Sequence, residues 1–389
     1  MNSMIWPFTD LTIERFRGLR DLHLEGLGRV NLLVGGNNSG KTSVLEALSV
    51  YCAPLDPWTW LITSGRREPG PFGPRTTNVD RLRWLFPQQA SADPSVLYEG
   101  SVRVQATGST EVQSFTAQCQ ELRGTRIEPS RSERDGAGES NVDASDEADL
   151  EVERRGIQLD VRIKRRIEQP SLFDPEDVGT AKNSFILWEN ERFSSPRKGI
   201  GPALPNQSIT SYDHWFRALP VRRFSEAKMG GFEGAVLNLL KSIDPRIIGA
   251  EVLAPRAPEA ALYLRDAVAG LLPLSAFGDG LRRVLLMALA IPRATGGVLL
   301  VDEIETAIHV SVLAKVFRWM LDACKEYNVQ LFVTTHSLEA LDAVLAADTT
   351  PEEDIVGYRL GSSSDSITAK RYGEDLLKRL RSERGIDVR

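Results

Sequence analysis

The sequence predicts an α/β fold with a mixed, mainly parallel central sheet, an antiparallel β insert and a helical lobe. Two observations carry this prediction. Short apolar strands alternate with amphipathic helices at both ends of the chain, which is typical of a parallel sheet with covered faces. Between these ends, four segments alternate apolar and polar residues, as antiparallel strands with one buried face do.

The N-terminal part, 1–100, predicts the order strand, turn, strand, loop, helix. Residues 11–16 alternate in polarity, and residues 30–35 form a mainly apolar run typical of a buried strand. Residues 41–51 then place Val44, Leu45 and Leu48 at helical spacing. This half of the central domain therefore begins with a strand that runs directly into a loop and a helix.

The middle part, 101–230, predicts the β insert. Its antiparallel strands are expected at 101–108, 113–120, 156–168 and 184–193. A polar, acidic and glycine-containing segment near 126–155 favours a flexible loop between them. We expect this insert to form the surface that contacts partners, because it carries neither the phosphate-binding motif nor the carboxylates described below.

The C-terminal part, 231–389, predicts a helical lobe and the rest of the central sheet. Helices are expected first at 234–243 and 261–271. Alternating helices and strands follow at 282–291, 296–304, 311–328, 329–337 and 338–347.

Composition narrows the class of protein. The chain of 389 residues has 42% hydrophobic residues, 26% charged residues and a net charge of −6. It has no run of 18 apolar residues and no basic and apolar leader, so we expect a cytoplasmic protein without a membrane segment. The 3 cysteines and 4 histidines fit no disulfide framework and no zinc spacing. The acidic balance argues against indiscriminate nucleic-acid binding but leaves room for a local basic patch.

A phosphate-binding loop is predicted at Gly35–Thr42, GGNNSGKT, which fits G-x-x-x-x-G-K-[ST] between a strand and a helix. Its backbone N–H groups would surround the β-phosphate, Lys41 would reach the β- and γ-phosphates, and Thr42 would bind Mg²⁺. The sequence therefore predicts a P-loop NTPase that uses ATP and Mg²⁺. The expected ATP-binding residues are Gly35, Gly36, Asn37, Asn38, Ser39, Gly40, Lys41, Thr42 and Ser43.

Two further strands end in polar residues that suit phosphate chemistry. The strand at Val298–Val301 runs into Asp302, a candidate Mg²⁺ ligand with Thr42, and Glu303, a candidate base for the attacking water. The strand at 329–335 runs into His336, which could hydrogen-bond a γ-phosphate. Glu303, His336 and Lys41 are the predicted catalytic residues. A solvated acidic loop and a structural histidine are the alternative interpretations.

These motifs, in this order, resemble the ABC-like ATPases. Residues 11–48 resemble the N-terminus of the SMC/RecF type, and residues 277–309 with 329–337 resemble the OLD (overcoming lysogenization defect) branch. The similarity covers about the first 50 and the last 120 residues of the 389. It implies that 231–389 contains a signature-like loop, the Walker B strand and the switch histidine.

The resemblance also implies that a second subunit completes the nucleotide site. In such ATPases a signature loop ahead of a helix faces the γ-phosphate of the partner, and Ser275, Gly278, Asp279 and Gly280 fall where this loop belongs. Gly278 replaces the usual signature serine, so Ser275 could supply a hydroxyl only from a rearranged loop. We expect a homodimer or a higher homo-oligomer; the alternative is a simple helix-entry turn.

Four weaker assignments depend on the same resemblance. Arg17 falls where related ATPases place an arginine near the phosphates, although a surface position is nearly as well supported. His309 would lie near the dimer interface, and the preceding Ala307 departs from a common glycine. Gln88 and Gln89 are candidates for the glutamine that links the sheet to the helical lobe. The basic tail, 370–389, resembles the endings of OLD-like ATPases or is a solvated helix.

The resemblance implies an ATP-hydrolysing switch in bacterial anti-phage defence, slow or regulated by its partner. Only 53 residues follow His336, too few for a TOPRIM nuclease, so we expect a separate effector such as a nuclease. One alternative is a RecF-like repair ATPase that binds DNA through a groove formed by Arg282, Arg283 and the tail. The other alternative is an assembly module that binds ATP with little turnover.

Overall fold

The computed structural model describes residues 6–68, 76–88, 96–128, 150–166, 179–189, 191–194, 201–216, 218–256, 259–347, 355–362 and 367–382. The strands are β1 (Asp10–Phe16), β2 (Leu19–Leu24), β3 (Val30–Val34), β4 (Glu99–Thr107), β5 (Val112–Glu128), β6 (Leu150–Arg165), β7 (Thr180–Trp188), β8 (Asn206–Ile209), β9 (Ile247–Arg256), β10 (Glu259–Asp266), β11 (Gly270–Pro273), β12 (Val298–Val301), β13 (Gln330–Thr335), β14 (Ile355–Ser362) and β15 (Ile367–Gly373). The helices are α1 (Lys41–Tyr51), α2 (Pro57–Gly65), α3 (Asn78–Arg83), α4 (Ala218–Met229), α5 (Glu233–Ile243), α6 (Asp279–Ala290), α7 (Val310–Glu326), α8 (Leu338–Ala347) and α9 (Glu374–Ser382).

The central sheet has the strand order β15-β14-β3-β13-β12-β8. Every neighbouring pair is parallel except β14 with β15. The predicted mixed, mainly parallel sheet is therefore confirmed, and the fold is that of a P-loop NTPase. Because parallel strands end at one edge, the loops that follow β3, β12, β13 and β8 meet there.

Two hydrophobic cores lie on the two faces of this sheet. In β12, Leu299 and Val301 belong to one core, whereas Val298 and Leu300 belong to the other. Successive side chains of a strand point to opposite faces, so a strand covered on both sides must be apolar at every position. This explains the unbroken apolar run ahead of Asp302.

A second, antiparallel sheet has the order β2-β1-β4-β5-β6-β7. It contains the strands that the sequence predicts for the insert, but it also contains β1 and β2 from the chain start. In contrast, β8 pairs with β12 in the central sheet, although 101–230 as a whole was assigned to the insert. Most of the acidic segment predicted near 126–155 lies outside the described residues, and its ends belong to β5 and β6.

The helical lobe combines α4, α5 and α6 with a small antiparallel sheet of order β11-β10-β9. The prediction of a helix at 261–271 is wrong, because this segment forms most of β10 and the start of β11. Leu262, Leu264 and Asp266 alternate with more exposed residues, which is the period of a strand. Gly270, at φ +79°, then starts the return strand.

Candidate functional site

The phosphate-binding loop follows β3 and ends at the first turn of α1. Gly35, Asn38 and Gly40 have φ values of +149°, +63° and +90°. A Cβ on Gly40 would lie 2.7 Å from Leu19 Cδ2, and a Cβ on Gly35 would lie 2.5 Å from the Leu360 carbonyl oxygen. The motif needs glycine at both positions because of conformation and close packing.

Lys41 occupies the centre of this loop. Its side chain is 5% exposed, and Nζ donates hydrogen bonds of 2.8 Å to the carbonyl oxygens of Gly35 and Gly36. Burial lowers the pKa of Lys41, while the nearby carboxylates of Asp302 and Glu303 act in the opposite direction. The ammonium group is thus held by backbone carbonyls that a phosphate oxygen could replace.

Thr42 and Asp302 meet although 260 residues separate them. The Thr42 hydroxyl lies 3.1 and 3.2 Å from the two carboxylate oxygens of Asp302. These are oxygen donors at the mouth of the phosphate loop, the ligand chemistry that Mg²⁺ prefers beside a nucleotide. The residues present therefore fit Mg²⁺, as the sequence predicts for this pair.

Thr334 at the end of β13 joins the two carboxylate positions, and no motif in the sequence assigns it a role. It is fully buried, and its hydroxyl donates to Asp302 Oδ1 at 2.6 Å. The same hydroxyl accepts the Glu303 backbone N–H at 2.8 Å. This residue fixes the turn after β12 against the neighbouring strand.

Glu303 and His336 lie on adjacent turns at the same sheet edge. Glu303 has φ +47°, and its Oε2 accepts a 3.1 Å hydrogen bond from Thr306. The His336 backbone N–H donates to Glu305 Oε1 at 2.9 Å, so the histidine loop is attached to the carboxylate turn. A left-handed non-glycine residue stores strain that often marks a functional position.

Arg283 on α6 is hydrogen-bonded to the turn formed by Asp302 and Glu303. It is fully buried; its Nη1 donates to the Thr210 carbonyl at 2.7 Å, and its Nη2 donates to the carbonyls of Asp302 and Glu303 at 2.6 and 2.8 Å. Burial lowers the pKa of Arg283, whereas the surrounding carboxylates act to raise it. The expected DNA groove is wrong in this respect, because Arg283 is inaccessible and Arg282 pairs with Asp279.

The signature-like residues open α6. Gly278 is the N-cap residue, exposed, with φ −62° and no atom within 4 Å of an added Cβ. Gly280 is different, because its added Cβ would lie 2.6 Å from the Ala307 carbonyl oxygen. Ser275 is exposed in the short 3₁₀ turn before the loop. The loop thus presents backbone N–H groups, Asp279 and no hydroxyl at position 278.

Arg17 does not extend from β1 as a free phosphate-binding residue. Its Nε lies 2.6 Å from Glu46 Oε2, and Glu46 on α1 is 2% exposed. Arg67 shares this carboxylate, with Nη2 at 2.7 Å from Oε2, and also donates to the Ser43 hydroxyl at 2.9 Å. The structure places Arg17 one turn along α1 from the phosphate loop, in an ion-paired cluster.

Among the described residues, no hydrogen bond links a glutamine candidate to the phosphate-binding loop. Gln88 donates to the carbonyls of Arg83 and Phe86, and Gln89 is outside the described residues. The loop that actually follows the strand beside β12 begins at Thr210, and it lines a cavity of about 240 Å³ that also includes Thr42 and Asp302.

His309 is the N-cap residue of α7. Its Nδ1 accepts the Ser311 backbone N–H at 3.3 Å, so its position has a structural explanation. Ala307, just before it, has φ +63°, a conformation that favours glycine. The basic tail forms β15 and α9 up to Ser382, and its last residues lie outside the described part.

Comparisons with known proteins find relatives of parts of this chain. A domain family described as "AAA domain, putative AbiEii toxin, Type IV TA system" matches residues 206–342, which contain the signature-like loop, the β12 carboxylates and His336. The "ATP/GTP phosphatase" of Helicobacter pylori is 35% identical over 79 residues, which are 19% of this chain and 21% of that protein. No helix among the described residues is both long and apolar enough to cross a lipid bilayer.

A solved structure with a similar course of the chain is the SMC head bound to the C-winged helix domain of ScpA, with a TM-score of 0.47 and 11% identity over 94% of this chain and 98% of that one. The uncharacterized protein MJECL11 of Methanocaldococcus jannaschii is 34% identical over 121 residues, which are 29% of this chain and 98% of that protein. The chain has the fold of a P-loop NTPase, and it belongs to the same family as MJECL11.

Proposed function

We propose that the chain binds Mg-ATP and hydrolyses it, as a nucleotide-controlled switch. The observation that carries this proposal is the contact of Thr42 with Asp302 at 3.1 and 3.2 Å. This contact brings a phosphate loop and a strand-end carboxylate to one edge of a parallel sheet. ATP hydrolysis needs no binding site for a further substrate on the chain. Positioning and charge stabilisation account for most of the catalysis of phosphoryl transfer.

Each residue has a distinct role in the proposed reaction. Lys41 exchanges its carbonyl partners for the β- and γ-phosphates, while Thr42 and Asp302 hold Mg²⁺, which neutralises phosphate charge when bound. Glu303 orients the attacking water and accepts its proton. His336 hydrogen-bonds the γ-phosphate and, through the Glu305 contact of its backbone, couples its presence to the β12 turn.

The switch acts through assembly. Two chains enclose two Mg-ATP molecules, and the loop at 278–280 of each chain faces the γ-phosphate held by the other. A separate effector, such as a nuclease, responds to this state in the cytoplasm as part of anti-phage defence. The description of the matched family names a putative toxin of a Type IV TA system, which supports a partner encoded separately.

Glu303→Gln is the variant that tests hydrolysis. It keeps the size and hydrogen bonding of the side chain but removes the base, so we expect phosphate release from ATP to fall by about 100-fold or more with ATP affinity retained. Glu305→Gln is the matched control, because its amide oxygen can still accept the His336 N–H. Wild-type turnover in the Glu303 variant would refute the proposed base.

An assembly module with little turnover is the second candidate. It is favoured by Gly278, which leaves the signature position without a hydroxyl and with open space around it. Such a module would bind Mg-ATP and change its oligomeric state while releasing phosphate no faster than the Glu303→Gln variant. The phosphate-release assay on the wild-type chain separates the two candidates.

A further inference from the structure

A row of cations crosses the exposed face of the six-stranded antiparallel sheet. The strand registers pair Lys182 with Arg162, Arg162 with Thr116, Thr116 with Arg103, Arg103 with Arg15, and Arg15 with Arg20. We call these residues the cationic row: Lys182, Arg162, Thr116, Arg103, Arg15 and Arg20. It contains one residue from each strand of the sheet, five of them positively charged.

The row faces away from the hydrophobic core. Its neighbours along the strands on the opposite face, such as Val161, Val104 and Ala117, are at most 1% exposed. In contrast, Lys182, Arg162 and Arg15 are exposed, and the Arg103 side chain is 52% exposed. The cationic groups therefore stand on a solvent-facing surface.

Among the residues that the structure describes, most of these charges have no acidic partner. Arg103 lies 3.3 Å from Glu14, and the Arg20 guanidinium bonds to the carbonyls of Arg17 and Leu19. Within the described part of the chain, no ion pair involves Arg15, Arg162 or Lys182. Lys164, exposed on the same face of β6, adds a further positive charge beside the row.

The positive charges of the cationic row destabilise the sheet. Like charges directly opposite on neighbouring strands repel each other, and three such pairs occur here: Lys182 with Arg162, Arg103 with Arg15, and Arg15 with Arg20. A surface designed only for solubility would intersperse acids in the row. A local conflict of this kind is expected where a surface serves a ligand.

We propose that the cationic row is a docking surface for the phosphate backbone of double-stranded DNA. At about 4.8 Å between strands, a row across six strands is about 24 Å long, enough to cross a DNA groove and reach both backbones. No residue of the row is aromatic, so the row itself lacks the stacking platform that single-stranded nucleic acid uses. The contacts are to phosphates and carry no base sequence preference.

This proposal is independent of ATP hydrolysis. The row lies on the antiparallel sheet, whereas Lys41, Asp302 and Glu303 lie at the edge of the central sheet. It also differs from the groove expected from the sequence, whose Arg283 is buried. DNA docking here would let the switch read the state of a nucleic acid with a surface that is not part of the nucleotide site.

The test measures binding of a fluorescein-labelled 30-base-pair duplex by anisotropy over a range of salt concentrations. We expect Arg162→Gln with Lys182→Gln to weaken binding about tenfold or more near 100 mM salt. The slope of log Kd against log salt should fall by about two, because two phosphate contacts are lost. The melting temperature should be unchanged or higher, since a repulsive pair is removed.

The control carries the same change in charge elsewhere. Lys241→Gln with Lys315→Gln alters two exposed lysines of the helical region and should bind DNA as the wild type does. The proposal is overturned if the wild type shows no salt-dependent binding, or if both double variants bind equally. Stronger competition by single-stranded DNA or duplex RNA than by duplex DNA would overturn the assignment of the ligand. ATP hydrolysis is measured for every variant and should be unchanged. Loss of the DNA-binding result with ATP hydrolysis intact would refute the docking surface and leave the proposed ATPase function standing.

Discussion

At the scale of single residues, Arg283 shows what a motif cannot reveal. The sequence placed Lys41, Thr42 and Asp302 by their type and spacing, and these residues do meet. The RecF-like alternative placed Arg283 in a surface groove, and arginine is indeed rarely fully buried. The structure buries it, and three backbone carbonyls, those of Thr210, Asp302 and Glu303, accept hydrogen bonds from its Nη1 and Nη2.

Arg283→Lys tests whether this residue positions the carboxylate turn. A lysine keeps the charge but lacks the planar fork that reaches carbonyls on two loops, so Glu303 should lose its fixed orientation. We expect kcat for ATP hydrolysis to fall about tenfold while the Kd for ATP changes little. Steady-state kinetics together with equilibrium binding of a fluorescent ATP analogue would measure both quantities.

The neighbouring Arg282 supplies the comparison. It is partly exposed and pairs with Asp279 in the first turn of α6, so Arg282→Lys should alter kcat by less than about twofold. If Arg283→Lys lowered the melting temperature and the ATP affinity in parallel with kcat, its role would be general stability and not positioning.

At the scale of elements, the sequence predicted the strands and helices whose periodicity is strong. The buried strands β12 and β13 and the helix α1 lie where their patterns place them. Residues 261–271 were misassigned because a short apolar run fits both a helix and a strand, and tertiary pairing decided the outcome. The four-residue strand β8 is too short and too polar to be detected, although it completes the central sheet.

The contact between α6 and the loop after β12 predicts a specific sensitivity at Gly280. Alanine would favour the helix by about 1 kcal/mol in open surroundings. Here its Cβ would lie 2.6 Å from the Ala307 carbonyl oxygen, a backbone atom that cannot move freely. We therefore expect Gly280→Ala to lower the free energy of unfolding by about 1–3 kcal/mol, measured by urea denaturation.

Gly278 lies two residues earlier and has no such restraint, so Gly278→Ser is the matched control. A serine at an N-cap accepts a backbone N–H, and a gain of a few tenths of a kcal/mol is expected. Equal effects of the two substitutions would contradict the close approach of α6 to Ala307.

At the scale of the whole molecule, the local order of elements was predictable but the pairing of distant strands was not. β1 pairs with β4 across about 90 residues of sequence and with β2 on its other side, so the chain start belongs to the antiparallel sheet. Such register depends on the shared core beneath both parts, which no local pattern encodes. This pairing also creates the cationic row, whose members are scattered from Arg15 to Lys182.

The oligomeric state depends on the surface that each chain presents to another. Gly278 is exposed at the start of α6, so the N–H groups at this helix start face outward, where a phosphate held by another chain could accept from them. In the Glu303→Gln background, which should trap bound ATP, we expect the molecular mass in solution to double on addition of Mg-ATP. Light scattering after size-exclusion chromatography would measure this change.

Gly278→Glu, added to Glu303→Gln, separates the signature surface from nucleotide binding. An added side chain meets nothing within 4 Å of the Cβ in the single chain, so the fold should tolerate it. Its carboxylate would repel the γ-phosphate of the facing site, so this variant should bind ATP but remain a monomer. If Glu303→Gln itself remained a monomer in the presence of Mg-ATP, the loop at 278–280 would have no role beyond capping α6. A dimer that forms without nucleotide would show that other surfaces build the assembly and that ATP only reshapes it.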